Sequence, residues 1–144
     1  MSNIIKEFKD EYSFLSNFYK SEILYENITY PTAEHAFQAA KTLNQYERKA
    51  IAACATPGQA KRMGRQVVLR KDWEKEKTNI MYEICTIKFQ NTQLRDKLIG
   101  TKLMKLFEGN TWNDVYWGVQ WLQDGSCFGH NKLGNVLMDI RAGL

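Results

Sequence analysis

The spacing of apolar residues changes at Pro31, and this change constrains the fold more than any other feature of the chain. Before it, residues 21–30 carry apolar side chains that alternate on either side of Glu26-Asn27, at Ile23, Tyr25, Ile28 and Tyr30. This alternation predicts a β-hairpin. After it, Thr32 can cap a helix to about Leu43, with an apolar stripe at Ala33, Phe37, Ala40 and Leu43. The two periods together predict an α+β fold.

The rest of the chain is predicted to be mostly helical, with a few short strands. Thr56-Pro57-Gly58-Gln59 is a strong helix start, with Thr56 as N-cap and Pro57 in the first turn. The other predicted helices are Tyr46 to Ala53, one after Asp72, one capped by Thr92, and Lys132 to Ala142, and the predicted strands are Ile4 to Phe8, Leu103 to Glu108 and Tyr116-Trp117. Repeats and linker-like stretches are absent from the sequence, so residues 1–144 are expected to form a single domain.

Composition and charge narrow the class of protein. Hydrophobic residues are 44% and charged residues 25% of the 144, which is typical of a globular chain. No apolar run approaches the roughly 20 residues that cross a bilayer, and the first residues do not resemble a signal peptide, so we expect a cytoplasmic protein without a membrane partner. The net charge of +4 fits either an anionic partner or a solvated basic surface.

The cysteines and histidines argue against metal chemistry and against a covalent acyl-transfer site. The three cysteines are widely spaced and odd in number, which favours free thiols. His35 and His130 lie far apart and no pair has zinc-site spacing, so neither a metal nor another cofactor is expected. The chain also lacks a GxSxG elbow and a Cys-His signature.

Three polar residues share one face of the first predicted helix. Glu34, Gln38 and Lys41 follow one another at i, i+4 and i+7, so Glu34 and Lys41 are separated by roughly 10 Å along the axis. A sugar could lie between a carboxylate and an amine at that separation. The same pattern also fits a solvated helix face whose acid complements the helix dipole.

Later segments add groups that could recognise a nucleoside or its phosphate. Gly129, Asn131 and Gly134 lie at the start of the last helix, where backbone amides could bind a phosphate or could simply cap the helix. Asp72 precedes Trp73, which fits either an N-cap beside a core anchor or part of a site. Asn113-Asp114 precedes the aromatic pair Tyr116-Trp117, which fits either a turn or a mixture of stacking rings and carboxylates.

The combination of these blocks resembles the NADAR family, also called YbiA-like, over nearly the whole chain. The matching blocks are, in order, FLSNFY, ITYPTAEHAFQAAK, TPGQAKRMGR, LRKDWEKEKTNIM, IKF, NDVYWG and GHNKLGNVLMDIR. The resemblance implies a mostly helical α+β fold and N-glycosidase activity on ribosyl substrates. It implies either removal of ADP-ribose linked to guanine in nucleic acid, or hydrolysis of early riboflavin-pathway intermediates. We favour the first, with ADP-ribosylated DNA or nucleotide as substrate and a possible pairing with an ADP-ribosyltransferase toxin, as an antitoxin would have.

The resemblance also assigns roles to individual positions. The essential acid falls on Glu34, the functional tryptophan on Trp73, the later acid on Asp114, and the basic position on Lys41. Pocket-forming positions fall on Asn17, Phe18, Gln38, Arg65, Trp117, Gly118, Asn131 and Gly134. Residues 119–128, after Trp117-Gly118, depart from the family pattern, which bears on the choice of substrate. A module that binds ADP-ribose without cleaving it, and a general basic nucleic-acid-binding domain, are the alternatives from other functional classes.

Overall fold

The computed structural model describes residues 3–144, and these form an α+β fold in which most of the regular structure is helical. The helices are α1 (Ala33–Ala40), α2 (Gln45–Ala52), α3 (Pro57–Gly64), α4 (Trp73–Lys88), α5 (Thr92–Gly100) and α6 (Lys132–Ala142), with a 3-10 helix at Asp10–Leu15. The strands are β1 (Ile4–Ile5), β2 (Lys20–Tyr25), β3 (Ile28–Thr32), β4 (Lys105–Leu106), β5 (Gln120–Trp121) and β6 (Cys127–Phe128). The chain divides into two compact units, Asn17–Gln90 and the residues on either side of it. Within residues 3–144, no helix is long and apolar enough to span a membrane.

The unit Asn17–Gln90 begins with the predicted hairpin. Strands β2 and β3 pair antiparallel, with Tyr25 opposite Ile28. Glu26 and Asn27 form the connection with φ of 47° and 71°, as the two-residue hairpin turn that matches the twist of the strands requires. Ile23, Tyr25 and Tyr30 are buried and Ile28 is half-buried, so the predicted hairpin and its alternation are confirmed.

Helix α1 follows the hairpin and lies at the centre of this unit. All eight of its residues are buried, and it packs against α2, α3 and α4 as well as the hairpin. The predicted extension to Leu43 is wrong, because the helix ends at Ala40 and Leu43 is 63% exposed. The chain turns there because Thr42 Oγ1 donates to Glu47 Oε1 and the Asn44 side chain caps α2.

The starts of α3 and α4 show how local sequence positions these helices. The predicted N-cap of α3 is confirmed, since Thr56 Oγ1 accepts the Gln59 amide at 3.1 Å and Pro57 occupies the first turn. Asp72 occupies the N-cap position of α4, but its carboxylate pairs with Arg70 at 2.6 and 3.0 Å. Asp72 is therefore the N-cap residue of α4, as predicted, but its side chain does not cap the helix.

The other unit contains the described residues up to Ser16 together with Asn91–Leu144. Strands β1 and β4 pair in parallel, with Ile5 opposite Leu106, and α6 packs against β4. The last helix has its predicted bounds. Four details differ from expectation: the strand predicted over Ile4–Phe8 is confined to Ile4–Ile5, Asn91 rather than Thr92 caps α5, the strand predicted over Leu103–Glu108 is confined to Lys105–Leu106, and Tyr116-Trp117 lies in a bend. Residues 119–128 instead contain the antiparallel pair β5–β6.

Candidate functional site

Glu34 lies in the first turn of α1 and is almost completely buried, at 8% exposure. The turn is fixed on one side by Thr32, whose Oγ1 accepts the His35 amide at 3.2 Å. It is fixed on the other side by Asn17, whose carbonyl accepts the Glu34 amide at 3.0 Å. The chain therefore holds a carboxylate inside the unit at a helix N-terminus, where the helix dipole favours a negative charge.

Gln38 contacts this carboxylate directly. Its Nε2 donates to Glu34 Oε2 at 2.5 Å, and its side chain is 4% exposed. The predicted common face of Glu34 and Gln38 is confirmed, but the interpretation of that face as solvated is wrong. Burial of the pair in one unit is a stronger indication of a site than helical spacing alone, because buried charged groups require specific partners.

Lys41 follows α1 as its C-cap residue and is half-buried. Its carbonyl accepts the Arg70 amide at 2.7 Å, which fixes the backbone at this point. Burial lowers the pKa of Lys41 below its usual value; the Glu34 carboxylate opposes this shift, while Arg65, Lys61 and Lys77 add to it. Lys41 therefore lies in the field of one buried acid and three other cations, an arrangement that suits an anionic ligand.

Aromatic and amide groups surround α1 within the same unit. Trp73 is 6% exposed and packs on Phe37, with 5.0 Å between ring centroids. Asn17 is buried, and its amide contacts sulfur atoms of α4, Met81 Sδ at 3.4 Å and Cys85 Sγ at 3.9 Å. Phe18, the next residue, is 47% exposed and presents a ring surface to solvent.

Asp114 is a predicted catalytic residue of the other unit, and it organises the bend that follows it. Its Oδ1 accepts the backbone amides of Trp117 at 2.9 Å and Tyr116 at 3.2 Å. Asn110, which the sequence analysis missed, binds the Asp114 backbone at both its amide (3.0 Å) and its carbonyl (2.8 Å). The only sequence signal for Asn110 is an asparagine within a Gly-Asn-Thr stretch, which is typical of ordinary turns.

Gly118 follows this bend and lies against backbone. A Cβ at Gly118 would overlap the Glu108 carbonyl and lie 2.7 Å from Asn110 Nδ2. The half-buried Trp117 ring packs edge-on against Tyr116, with centroids 4.8 Å apart. Gly118 is therefore required for close packing of the bend.

Asn131 and Gly134 join the start of α6 to the end of β4. The Asn131 side chain accepts the Glu108 amide at 3.0 Å and donates to the Leu106 carbonyl at 2.9 Å. A Cβ on Gly134 would overlap the same Leu106 carbonyl and lie 2.6 Å from Asn131 Oδ1. The structure supports the close glycine packing of the second interpretation, while the Asn131 side chain binds backbone outside α6 and makes no cap hydrogen bond to the helix. Clusters of three or more metal-ligating side chains are absent from residues 3–144.

Comparison with known proteins identifies the family. The model of the NADAR domain matches residues 5–144. This chain belongs to the NADAR family. Its blocks YPTAEHAFQAAK and TPGQAKRMGR therefore correspond to α1 and α3 of a NADAR protein, and these two helices pack against each other.

Relatives of this NADAR chain have names that state an activity or a process. The N-glycosidase YbiA of Escherichia coli is 41% identical over 135 residues, covering 92% of this chain and 81% of that protein. A riboflavin biosynthesis protein of Vibrio vulnificus is 32% identical over 135 residues, covering 92% of this chain and 35% of that protein. The NMR structure of the E. coli protein YbiA has a TM-score of 0.81 and 38% identity, and the match covers 99% of this chain and 86% of that one.

These relatives support N-glycosyl hydrolysis as the class of reaction and confirm the predicted α+β fold. The roles of the individual residues stay predictions. Within Asn17–Gln90, the structure brings Asn17, Glu34 and Gln38 together by hydrogen bonds and places Lys41 in the field of Glu34 and Arg65. Asp114, Trp117, Gly118, Asn131 and Gly134 belong to the other unit, where the contacts described above hold them.

Proposed function

We propose that this NADAR protein is an N-glycosidase that hydrolyses the bond between a ribose and a nitrogen base in an anionic substrate. The observation that carries the proposal is the buried Glu34 carboxylate, bound by Gln38 on a helix that ends at a half-buried lysine. A fixed carboxylate suits a reaction in which positive charge develops on a sugar carbon. The cations that act on Lys41 suit a substrate phosphate.

Glu34 has the central part in this proposal. Cleavage of the C–N bond leaves positive charge at the anomeric carbon, requires a proton on the departing nitrogen and ends with addition of water. A preorganised carboxylate in a buried position stabilises that charge or transfers the proton, and a positioned group of this kind contributes about 10²–10⁴-fold. Asp114 remains the predicted second acid, and D114N tests it while leaving Oδ1 able to accept the Trp117 amide.

Lys41 has two roles in the proposal that an experiment can separate. Its ammonium can neutralise a substrate phosphate. Alternatively, its neutral amine can attack C1 of the ribose as the C–N bond to the base breaks and the base leaves with a proton; the ring C–O bond of the resulting ribosylamine then opens, its oxygen becomes a hydroxyl, and the Schiff base so formed is hydrolysed by water. Borohydride added during turnover should trap a protein–sugar adduct if the second role applies. K41R keeps the positive charge but cannot form the adduct. Absence of any adduct with the wild-type protein would restrict Lys41 to the electrostatic role.

Two substrate classes follow from different observations. The Vibrio vulnificus relative is named as a riboflavin biosynthesis protein, and this name supports ribosyl-pyrimidine intermediates of the riboflavin pathway as substrates. The net charge of +4 supports a larger polyanion, such as ADP-ribose linked to guanine in DNA or in a nucleotide. We favour the second substrate, and a functional pairing with an ADP-ribosyltransferase toxin is part of that proposal.

One experiment distinguishes these substrates and tests the activity itself. The protein is incubated separately with a phosphoribosyl aminopyrimidine and with guanine-ADP-ribosylated DNA, and release of free base and free sugar is measured by chromatography. E34Q is the control, since it keeps the size of the side chain and removes the charge. Release that depends on Glu34 identifies the substrate class. Tight binding of ADP-ribose without any release would instead identify a non-catalytic binding module.

A further inference from the structure

Gly64, the last residue of α3, contacts the side chain that binds Glu34. It is buried, and a Cβ built on it would overlap Gln38 Oε1 and lie 2.9 Å from Gln38 Cδ. Alanine is favoured over glycine inside helices by about 1 kcal/mol, so helix formation does not explain this glycine. The close approach of the Gln38 amide to Gly64 explains it.

The Gln38 amide has a hydrogen bond at one end and a close steric contact at the other. Its Nε2 donates to Glu34 Oε2 at 2.5 Å, while Oε1 lies against Gly64. Among residues 3–144, Oε1 has no hydrogen-bond partner although it is buried. A buried acceptor without a partner costs free energy, typically about 1–3 kcal/mol. Reversing the amide would place Oε1 against the Glu34 carboxylate, which repels it, so the observed orientation is the one in which the donor binds Glu34.

We propose that Gly64 is a positioning residue for Glu34 and acts through the side chain of Gln38. The hydrogen on the Gly64 Cα leaves room for the Gln38 amide in the one orientation that places its donor on Glu34 Oε2. A methyl group at this position displaces the amide and removes the hydrogen bond from Gln38 Nε2 to Glu34 Oε2. The inference rests on the proposed function, because it assigns Gly64 to the same reaction.

Replacement of Gly64 by alanine tests this role against a matched control. Gly58 lies in the same helix, and a Cβ there would meet only Thr56 Oγ1, at 3.9 Å. A shift of a catalytic group by about 1 Å can lower the rate of a reaction by about 10²-fold. We therefore expect G64A to lower kcat by about 10- to 100-fold while KM changes by less than about threefold. G58A should have the kcat of the wild-type protein. A wild-type kcat in G64A would overturn the proposal.

A double-mutant cycle shows whether Gly64 acts through Gln38. In a Q38A background the amide is gone, so adding G64A should leave kcat unchanged. If G64A lowers kcat by the same factor in both backgrounds, Gly64 acts independently of Gln38 and the proposal is wrong. The cycle also applies if G64A alone does not fold, because the Q38A/G64A protein lacks the overlap with Oε1 and Cδ and keeps only the 3.1 Å contact with the Cβ of residue 38, so it should fold with the kcat of Q38A.

A measurement without substrate separates failure of this inference from failure of the proposed function. The side-chain amide resonances of Gln38 are observed by NMR in ¹⁵N-labelled wild-type protein, G64A and G58A. We expect them to shift in G64A and to stay in place in G58A. Unchanged resonances in G64A would overturn the positioning role. A wild-type protein without glycosidase activity, but with the shift in G64A, would refute the proposed function alone.

Discussion

Replacement of Asn131 by alanine should cost much of the stability of this protein. Asn131 has a φ of 52°, in the left-handed region, and is 5% exposed. N131A removes the bonds to the Glu108 amide and the Leu106 carbonyl. Each buried bond lost with its partner left behind costs about 1–2 kcal/mol, and left-handed backbone costs alanine about 1 kcal/mol more than asparagine. The expected loss of unfolding free energy is therefore about 3–5 kcal/mol, a large share of the roughly 5–15 kcal/mol of a typical domain.

Urea denaturation followed by circular dichroism measures this loss, and two variants resolve its parts. N131G loses the same two bonds but tolerates a positive φ, so it should be about 1 kcal/mol more stable than N131A. N135A is the matched control, because Asn135 is an exposed asparagine of α6, and it should stay within about 0.5 kcal/mol of the wild type. The Glu108 amide hydrogen should also exchange faster in N131A.

An unfolding free energy of N131A within about 1 kcal/mol of the wild-type value would contradict this prediction. Equal stability of N131A and N135A would contradict it as well. A stable N131A protein that binds its substrate poorly would support the other interpretation of the sequence, in which Asn131 contacts a phosphate.

Three further predictions concern the unit Asn17–Gln90. E34Q should keep the circular dichroism spectrum and lower kcat by about 10²–10⁴-fold, and an active E34Q would remove Glu34 from the mechanism. Burial lowers the pKa of His35, whose ring binds Thr32 Oγ1 at 2.8 Å and the Cys54 carbonyl at 3.0 Å. Because the unfolded state then binds the proton more tightly than the folded state, the contribution of neutral His35 to the unfolding free energy is complete above a pH of about 6.5 and decreases below it. The unfolding free energy of H35Q should therefore depend less on pH than that of the wild type. Equal dependence on pH in the two proteins would contradict this. W73A should lose about 3–5 kcal/mol of unfolding free energy, and W73F, which keeps a ring beside Phe37, should lose clearly less. Urea denaturation midpoints measure both losses. Equal losses in the two variants would show that the ring contact with Phe37 contributes little.

Elements whose structure depends on local chemistry could be predicted from the sequence. The hairpin around Glu26-Asn27, the capped start of α3 and the bounds of α6 all depend on residues within a few positions of one another. The 3-10 helix Asp10–Leu15 was missed, and Tyr116-Trp117 was wrongly predicted as a strand. At Tyr116-Trp117 the backbone amides bind a side chain instead of a neighbouring strand, since the Asp114 carboxylate accepts both of them. This contact forms the bend in place of the predicted strand.

The candidate site could also be predicted only in part from the sequence. Helical spacing correctly placed Glu34 and Gln38 on one face, because three to four residues per turn is a property of any α-helix. It could not show that this face is buried, since burial depends on α3, whose contact at Gly64 lies 26 positions from Gln38 along the chain. At Asn131 the sequence left two alternatives open, because a polar residue at a helix start can bind either a ligand or backbone; the structure adds the backbone contacts, and the role in substrate binding stays a prediction.

The complete burial of α1 has a consequence for mutational scanning of this protein. A helix with one solvent-exposed face tolerates substitution with a period of about 3.6 residues. Ala33–Ala40 offers no such face, so intolerance should be continuous over all eight positions. Invariance of this helix in a library or in a set of homologues therefore cannot by itself identify catalytic residues. Only variants that fold normally and lose turnover can separate Glu34 from the alanines around it.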